Sequence, residues 1–142
     1  IRSIWPGKLI LKGILDVEDA ELAAKTGAQA IVVSNHGGRQ VDRGTVPLEL
    51  LPGVVDEVGD RVEVYLDGGV LSGADVVAAV GMGARAVLIG RAYLYGLMAG
   101  GEAGVRRVLD ILDSEIRATM QLVGARDVAE LRAGPIRLRE QY

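Results

Sequence analysis

Four short hydrophobic segments recur along the chain, and each is too short to form a helix. They cover residues 9–11, 30–33, 62–66 and 86–89. Most are rich in β-branched residues, which is typical of strands. Three of them have no polar residue inside, as in a parallel sheet that is buried on both faces. The pattern therefore predicts four strands of one parallel sheet.

Segments with helical periodicity lie between the predicted strands. Asp16 is a candidate N-cap for the first helix, which is expected to end near Gly27. Ser72 is a candidate N-cap for the third, which is expected to end near Gly81 or Gly83. Alternating strands and helices predict βαβ units, and hence an α/β fold.

Two further helices are less regular in sequence. One is predicted over residues 47–58, with Pro52 marking either a break or a late start. The other is a long helix from about Ala103 to Leu122, in which apolar residues recur at helical spacing. A short helix is expected around residues 128–131. No linker divides the chain, so its 142 residues predict one domain.

Composition narrows the classes of function. The net charge of -3 does not provide the basic surface that nucleic-acid binding needs. The absence of cysteine excludes disulfides and zinc–thiolate sites, and it favours a cytoplasmic protein. With a single histidine and no cysteine, we expect no metal site. No secretory signal is apparent, and no apolar run approaches the roughly 18 residues of a membrane span.

Each predicted strand is followed by polar residues or glycines. Because the carboxyl ends of parallel strands share one edge of a sheet, these residues should converge there. In (β/α)₈ barrels that edge carries the active site. The charged residues concerned are Lys12, His36, Arg39, Asp67 and Arg91.

Glycines at two strand ends precede helical segments. Gly68 and Gly69 come before the helix that Ser72 caps, and Gly90 comes before another helical segment. Exposed backbone N–H groups at a helix N-terminus bind anions, and glycine allows a phosphate to approach closely. Arg91 adds a fixed positive charge. The alternative is that these glycines only form tight turns.

The remaining candidates have their own alternatives. His36, the only histidine, follows a strand and precedes two glycines, a setting that favours a catalytic base over a structural role. Arg39 can hold a carboxylate, or it can form a surface ion pair. Lys12 ends a predicted buried strand and therefore needs an anionic partner, either a protein carboxylate or a ligand. Asp67 can instead accept backbone N–H bonds at the sheet edge.

Four segments together resemble the FMN-dependent 2-hydroxy-acid dehydrogenases and oxidases, which include glycolate oxidase and L-lactate dehydrogenase. The most specific is Ser34 to Gln40, and the others are residues 11–13, 66–69 and 89–91. The resemblance runs in order from about residue 8 to the end of the long helix. It implies oxidation of a small (S)-2-hydroxy acid, such as L-lactate, to the 2-oxo acid, with electrons passing to flavin N5.

The resemblance also implies roles for single residues. His36 would be the base, and Arg39 would bind the substrate carboxylate. Seven residues would bind FMN. They are Lys12 beside the flavin N1–O2 edge, Ser34 at the ring, Asp67 at the ribityl chain, and Gly68, Gly69, Gly90 and Arg91, of which the last three would hold the phosphate.

One position departs from the family pattern. Leu71 stands where many members carry an arginine after Asp-Gly-Gly-Val, so phosphate binding would depend more on Arg91 and on backbone N–H groups. Residues 41–43 and 91–101 resemble the L-lactate dehydrogenase branch. They also resemble the branch that oxidatively matures the peptide-derived cofactor mycofactocin.

The implied fold is the C-terminal half, about strands 5–8, of a TIM (β/α)₈ barrel with a long C-terminal helix. Residues 1–142 would form that half, and the N-terminal half would be absent. We expect such a chain to form a homo-oligomer or to pair with the missing half, in the cytoplasm or at a membrane surface. The alternatives are a half-barrel that binds FMN without turnover, another phosphate-binding barrel, or an open dinucleotide-binding sheet. The last lacks a Gly-x-Gly-x-x-Gly motif after the first strand.

Overall fold

A computed structural model of the chain describes residues 1–134, 136 and 137. It contains four parallel strands in the order β1-β2-β3-β4, so neighbours in sequence are neighbours in the sheet. This arrangement confirms the predicted α/β fold. The strands are β1 Ile10–Ile14, β2 Ala30–Val33, β3 Glu63–Leu66 and β4 Ala86–Val87.

Five α-helices lie in the described part of the chain. They are α1 Val17–Lys25, α2 Pro47–Val58, α3 Gly73–Gly81, α4 Arg91–Leu122 and α5 Val128–Ala133. Both predicted N-caps are confirmed: the Asp16 side chain accepts from the Glu18 N–H, and Ser72 forms a capping box with Asp75. None of these helices is long and apolar enough to cross a bilayer.

One helix differs from the prediction, and another is interrupted by glycines. Helix α2 continues through Pro52, which neither breaks nor starts it. Leu51 and Val54 flank this proline and are fully buried, so packing of the helix offsets the lost backbone hydrogen bond. Helix α4 is interrupted at Gly100 and Gly101, whose backbone angles are not helical. Its two parts, residues 91–99 and 102–122, correspond to the helical segment expected after Gly90 and to the long helix predicted from about Ala103 to Leu122.

The hydrophobic core lies between the helices and one face of the sheet. Ile31 and Val33 of β2 point into it with Val64 and Leu66 of β3, against residues of α1, α2 and α3. Burying a side chain of this size stabilises the fold by about 1.5–3 kcal/mol. Because side chains alternate across a strand, the residues between these four point to the opposite face of the sheet.

Strand β1 is at an edge of the sheet, and this corrects one expectation. Lys12 was expected to end a buried strand, but β1 continues to Ile14 and alternates between exposed and half-buried residues. The physical reason is that β1 has a neighbour on one side only. Lys12 is paired in register with Val32 and therefore lies on the face opposite the helices.

Candidate functional site

A cavity of about 480 Å³ opens at the carboxyl end of the sheet. This volume is within the range of roughly 300–1,000 Å³ for small-molecule sites. Of the nine residues expected to form the site, eight line the cavity and the ninth, Ser34, lies beneath it. The eight are Lys12, His36, Arg39, Asp67, Gly68, Gly69, Gly90 and Arg91.

Lys12 is held by two side chains on the same face of the sheet. Its Nζ lies 2.7 Å from Oδ2 of Asp67 and donates to Oγ of Ser34 at 2.9 Å. Ser34 is fully buried, whereas the Lys12 and Asp67 side chains keep 39% and 16% of their surface exposed. The anionic partner of Lys12 is therefore a protein carboxylate, and the ammonium group still faces the cavity.

His36 begins a short 3₁₀ turn that joins β2 to the loop before α2. Its φ angle is 54°, a left-handed conformation that is uncommon outside glycine and is often found at functional sites. The backbone N–H of His36 donates to Oγ of Ser34 at 3.2 Å. Asn35, which the sequence did not single out, caps the turn by accepting from the Gly37 N–H at 2.9 Å.

Arg39 ends the same turn and is exposed at the cavity edge. None of the ion pairs between described residues involves it. In this part of the chain its guanidinium is free to bind an anion, and the alternative of a surface ion pair receives no support. A carboxylate is the anion that a planar guanidinium holds best with two hydrogen bonds.

The glycines that line the cavity have different roles. A Cβ atom on Gly68 would lie 2.7 Å from Oδ1 of Asn35, so Gly68 is needed for close packing. A Cβ atom on Gly69 or Gly90 would meet nothing within 4 Å, so the space beside both is open. The N–H groups of both have no acceptor among the described residues. Together with Arg91 at the start of α4, they fit a phosphate-sized anion.

Arg91 also contacts the His36 turn directly. Its Nη2 atom donates to the carbonyl oxygen of Gly37 at 3.1 Å, a contact that spans 54 residues of sequence. The guanidinium has further donors that remain for a ligand. The side chain of Arg91 thus lies next to both the His36 turn and the open glycine Gly90.

Leucines form an apolar wall in the same cavity. Leu71, Leu88 and Leu94 line it, and each has at least 39% of its surface exposed. The sequence pointed to Leu71 alone. Leu88 could have been found from alternation, since β3 pairs with β4 through Leu66 and Val87, and the residue after Val87 points into the cavity. An apolar wall beside a few charged groups is typical of a small-molecule site.

Comparison with known proteins finds a matching family and similar proteins. The model of a family described as FMN-dependent dehydrogenase matches residues 1–138. The L-lactate dehydrogenase of Caulobacter vibrioides is 56% identical over 131 residues, which cover 92% of this chain and 34% of that protein. This chain therefore spans about a third of the length of that relative.

Solved structures of related proteins have the same arrangement of strands and helices. A crystal structure of mandelate oxidase superposes with a TM-score of 0.88 at 46% identity, covering 92% of this chain and 38% of that one. A mandelate oxidase mutant with the monooxide FMN adduct gives a TM-score of 0.87 at 46% identity, covering 92% and 42%. The arrangement of parallel strands and helices is thus shared with mandelate oxidase, of which this chain covers about 40%.

Proposed function

The chain belongs to the FMN-dependent dehydrogenase family, and from that premise we propose that it is the C-terminal half of an FMN-binding (β/α)₈ barrel that oxidises a small (S)-2-hydroxy acid. L-lactate is the substrate that the relatives favour. The observation that carries the proposal is one cavity that is lined by His36, by Arg39, which forms no ion pair among the described residues, and by Arg91 beside the open glycines Gly69 and Gly90. The sheet continues, at the open edges of β1 and β4, into the other half of the barrel or a second copy.

Different residues of this chain bind different parts of the cofactor. Arg91 and the N–H groups of Gly69 and Gly90 would hold the FMN phosphate, because they combine open space, N–H donors and a positive charge. Asp67 binds the ribityl chain. Lys12 is held by Asp67 and Ser34 and would supply a positive charge to the flavin ring. When bound, FMN supplies the two-electron acceptor, at N5.

The substrate is bound and deprotonated at the other end of the cavity. Arg39 holds the carboxylate of the 2-hydroxy acid in two hydrogen bonds, which fixes the orientation of the α-carbon. His36 acts as the base: it accepts a proton from the 2-hydroxy acid as the acid is oxidised. The left-handed turn that begins at His36 presents both side chains to the cavity.

A second candidate is a half-barrel that binds FMN without turnover. It is favoured by the position of the whole anion site within a chain that spans only a third of its relatives' length. In that case Lys12, Gly69, Gly90 and Arg91 keep their roles, and His36 and Arg39 act only when the rest of the barrel is supplied.

Two preparations test the proposal and separate it from this alternative. The first is the purified chain, incubated with FMN and freed of unbound ligand. The second is a chimera in which the chain replaces the matching 131-residue segment of the Caulobacter vibrioides enzyme. We expect both to keep a flavin absorption spectrum, and the chimera to be bleached by L-lactate in the absence of oxygen.

In the chimera, His36→Ala should keep the flavin and lose turnover by about 10²–10⁴-fold, the usual contribution of a general base. Arg107→Ala, at an exposed position on α4, is the control and should turn over normally. If the chimera retained flavin but L-lactate did not bleach it, the result would favour the half-barrel that binds FMN without turnover. Bleaching that persists in His36→Ala would contradict the role of the histidine, and no flavin in either preparation would contradict the proposed function.

A further inference from the structure

Strand β1 contains an irregularity next to Lys12. Lys12 pairs with Val32, but it is Ile14 that pairs with Val33, so Gly13 is an extra residue in the ladder. Its φ angle is 99°, which glycine adopts without the strain that other residues experience. The feature is a β-bulge, a device that redirects a strand locally and is frequent next to active sites.

The imidazole of His36 lies directly against this bulge. A Cβ atom built on Gly13 would be 2.7 Å from Cε1 of His36, and 3.6 and 3.7 Å from Nε2 and Nδ1. Carbon atoms in contact are normally about 3.5–4.0 Å apart. The ring therefore occupies the space that any side chain at position 13 would need.

The backbone of His36 cannot move easily to relieve such a clash. Its N–H is bonded to Ser34, and the next carbonyl, of Gly37, accepts from Arg91. The ring nitrogens, by contrast, have no hydrogen-bond partner among the described residues. In this part of the chain no hydrogen bond fixes the ring, and the contact with Gly13 limits where it can lie.

We propose that Gly13 is a positioning residue for His36: the bulge and the missing side chain create the space in which the imidazole rests and from which it faces the cavity. This inference rests on the proposed role of His36 as the base. A methyl group at position 13 has to displace the ring by several tenths of an ångström or more. A misplacement of about 1 Å at a reacting centre can reduce the rate roughly 10²-fold.

Nuclear magnetic resonance tests the contact without any assay of activity. Because the chain has one histidine, a preparation without a histidine tag gives a single imidazole Hε1 signal. We expect a nuclear Overhauser effect between this proton and a Gly13 Hα. In Gly13→Ala the Hε1 signal should shift, whereas in Gly124→Ala it should not. Gly124 is a matched control, since its φ angle is 76° and a Cβ atom there would meet nothing within 4 Å.

A thermodynamic cycle separates the clash from backbone strain. Gly13→Ala should lower the urea midpoint of the chain less when His36→Ala is also present, because the strain at position 13 remains and the clash does not. Equal shifts in both backgrounds, or an unchanged Hε1 signal, would overturn the inference.

Turnover distinguishes this inference from the proposed function. In the chimera, Gly13→Ala should lower kcat per bound flavin about 10²-fold and leave KM, which Arg39 dominates, within a few fold. Full kcat in Gly13→Ala, with kcat lost in His36→Ala, would overturn the positioning role alone. Full kcat in His36→Ala would instead contradict the role of His36 as the base, and in the unaltered chain the Hε1 signal would still report the contact.

Discussion

At the scale of single residues, one pair of opposite charges organises the floor of the cavity. Lys12 and Asp67 lie 2.7 Å apart on the face of the sheet that does not pack against the helices. Asp67 is the less exposed of the two, so removing Lys12 would leave a carboxylate that water reaches poorly. The pair should therefore contribute to stability even before a ligand binds.

A double-mutant cycle measures this contribution. Lys12→Met and Asp67→Asn should each lower the free energy of unfolding, and the double variant should lose less than the sum. The expected coupling is about 1 kcal/mol, since the Lys12 side chain is partly exposed and water screens the pair. Urea unfolding at pH 7 gives all four values, and Lys8→Met, at an exposed position, serves as the control. Strictly additive changes would contradict the coupling.

Sequence reasoning at this scale identified the residue types but not their partners. Lys12, His36 and Arg91 were predicted because each follows or ends a strand. That the carboxylate partner of Lys12 is Asp67, directly after β3, or that Arg91 donates to the Gly37 carbonyl, could not be predicted. Such contacts join residues more than 50 positions apart. Whether they form depends on atomic positions to within a few tenths of an ångström, and the periodicity of a sequence does not give positions of that accuracy.

At the scale of elements, an ion pair ties α1 to the turn after α2. Glu21 on α1 is bonded to Arg61 and lies 3.0 Å from Lys25 one helical turn later. The hydrogen bond from Arg61 is the main cause of a pKa of about 2 for Glu21, well below its ordinary value of 4.5, and Lys25 adds to the effect.

The lowered pKa predicts a specific acid sensitivity. Glu21 binds a proton less readily in the folded chain than in the unfolded one, so its stabilising contribution is complete above pH 4.5. That contribution is lost as the pH falls through the folded pKa of about 2. Glu21→Gln should lower the urea midpoint at pH 7 and reduce its fall between pH 5 and pH 2. Asp56→Asn, at an exposed position on α2, is the control, and a parallel acid dependence of all three proteins would contradict the assignment.

The ends of helices were predictable where they depend on local interactions alone. Asp16 and Ser72 cap their helices as predicted because a side-chain acceptor beside free N–H groups is a local interaction. Pro52 was not predictable in the same way. Proline is intrinsically unfavourable in a helix interior, but burial of the apolar face of α2 outweighs this cost. That burial depends on core residues from other elements, which the local sequence around Pro52 does not reveal.

At the scale of the whole molecule, the order of the elements largely determined where the site lies. Four parallel strands in sequential order bring their carboxyl ends to one edge, whatever the side chains are. The cavity is nevertheless a property of the assembled chain, since each strand end contributes to it. A ligand that bridges those ends should therefore stabilise the whole fold and not a single element.

This linkage gives a test of where the phosphate binds. A ligand at 100 times its dissociation constant stabilises the folded state by about 2.7 kcal/mol, which would raise the unfolding midpoint of this chain by roughly 10 °C. FMN should raise the midpoint more than riboflavin, which has the same ring but no phosphate. The difference between them is then the contribution of the phosphate site.

In Arg91→Ala that difference should shrink, while the shift caused by riboflavin should stay close to that of the unaltered chain. Comparing shifts instead of absolute midpoints removes the effect of losing the bond from Arg91 to Gly37, because it is absent with and without ligand. Differential scanning fluorimetry with Arg107→Ala as the control suffices for the measurement. If Arg91→Ala kept the full difference between FMN and riboflavin, the phosphate would bind elsewhere, and the open space beside Gly69 and Gly90 would need another occupant.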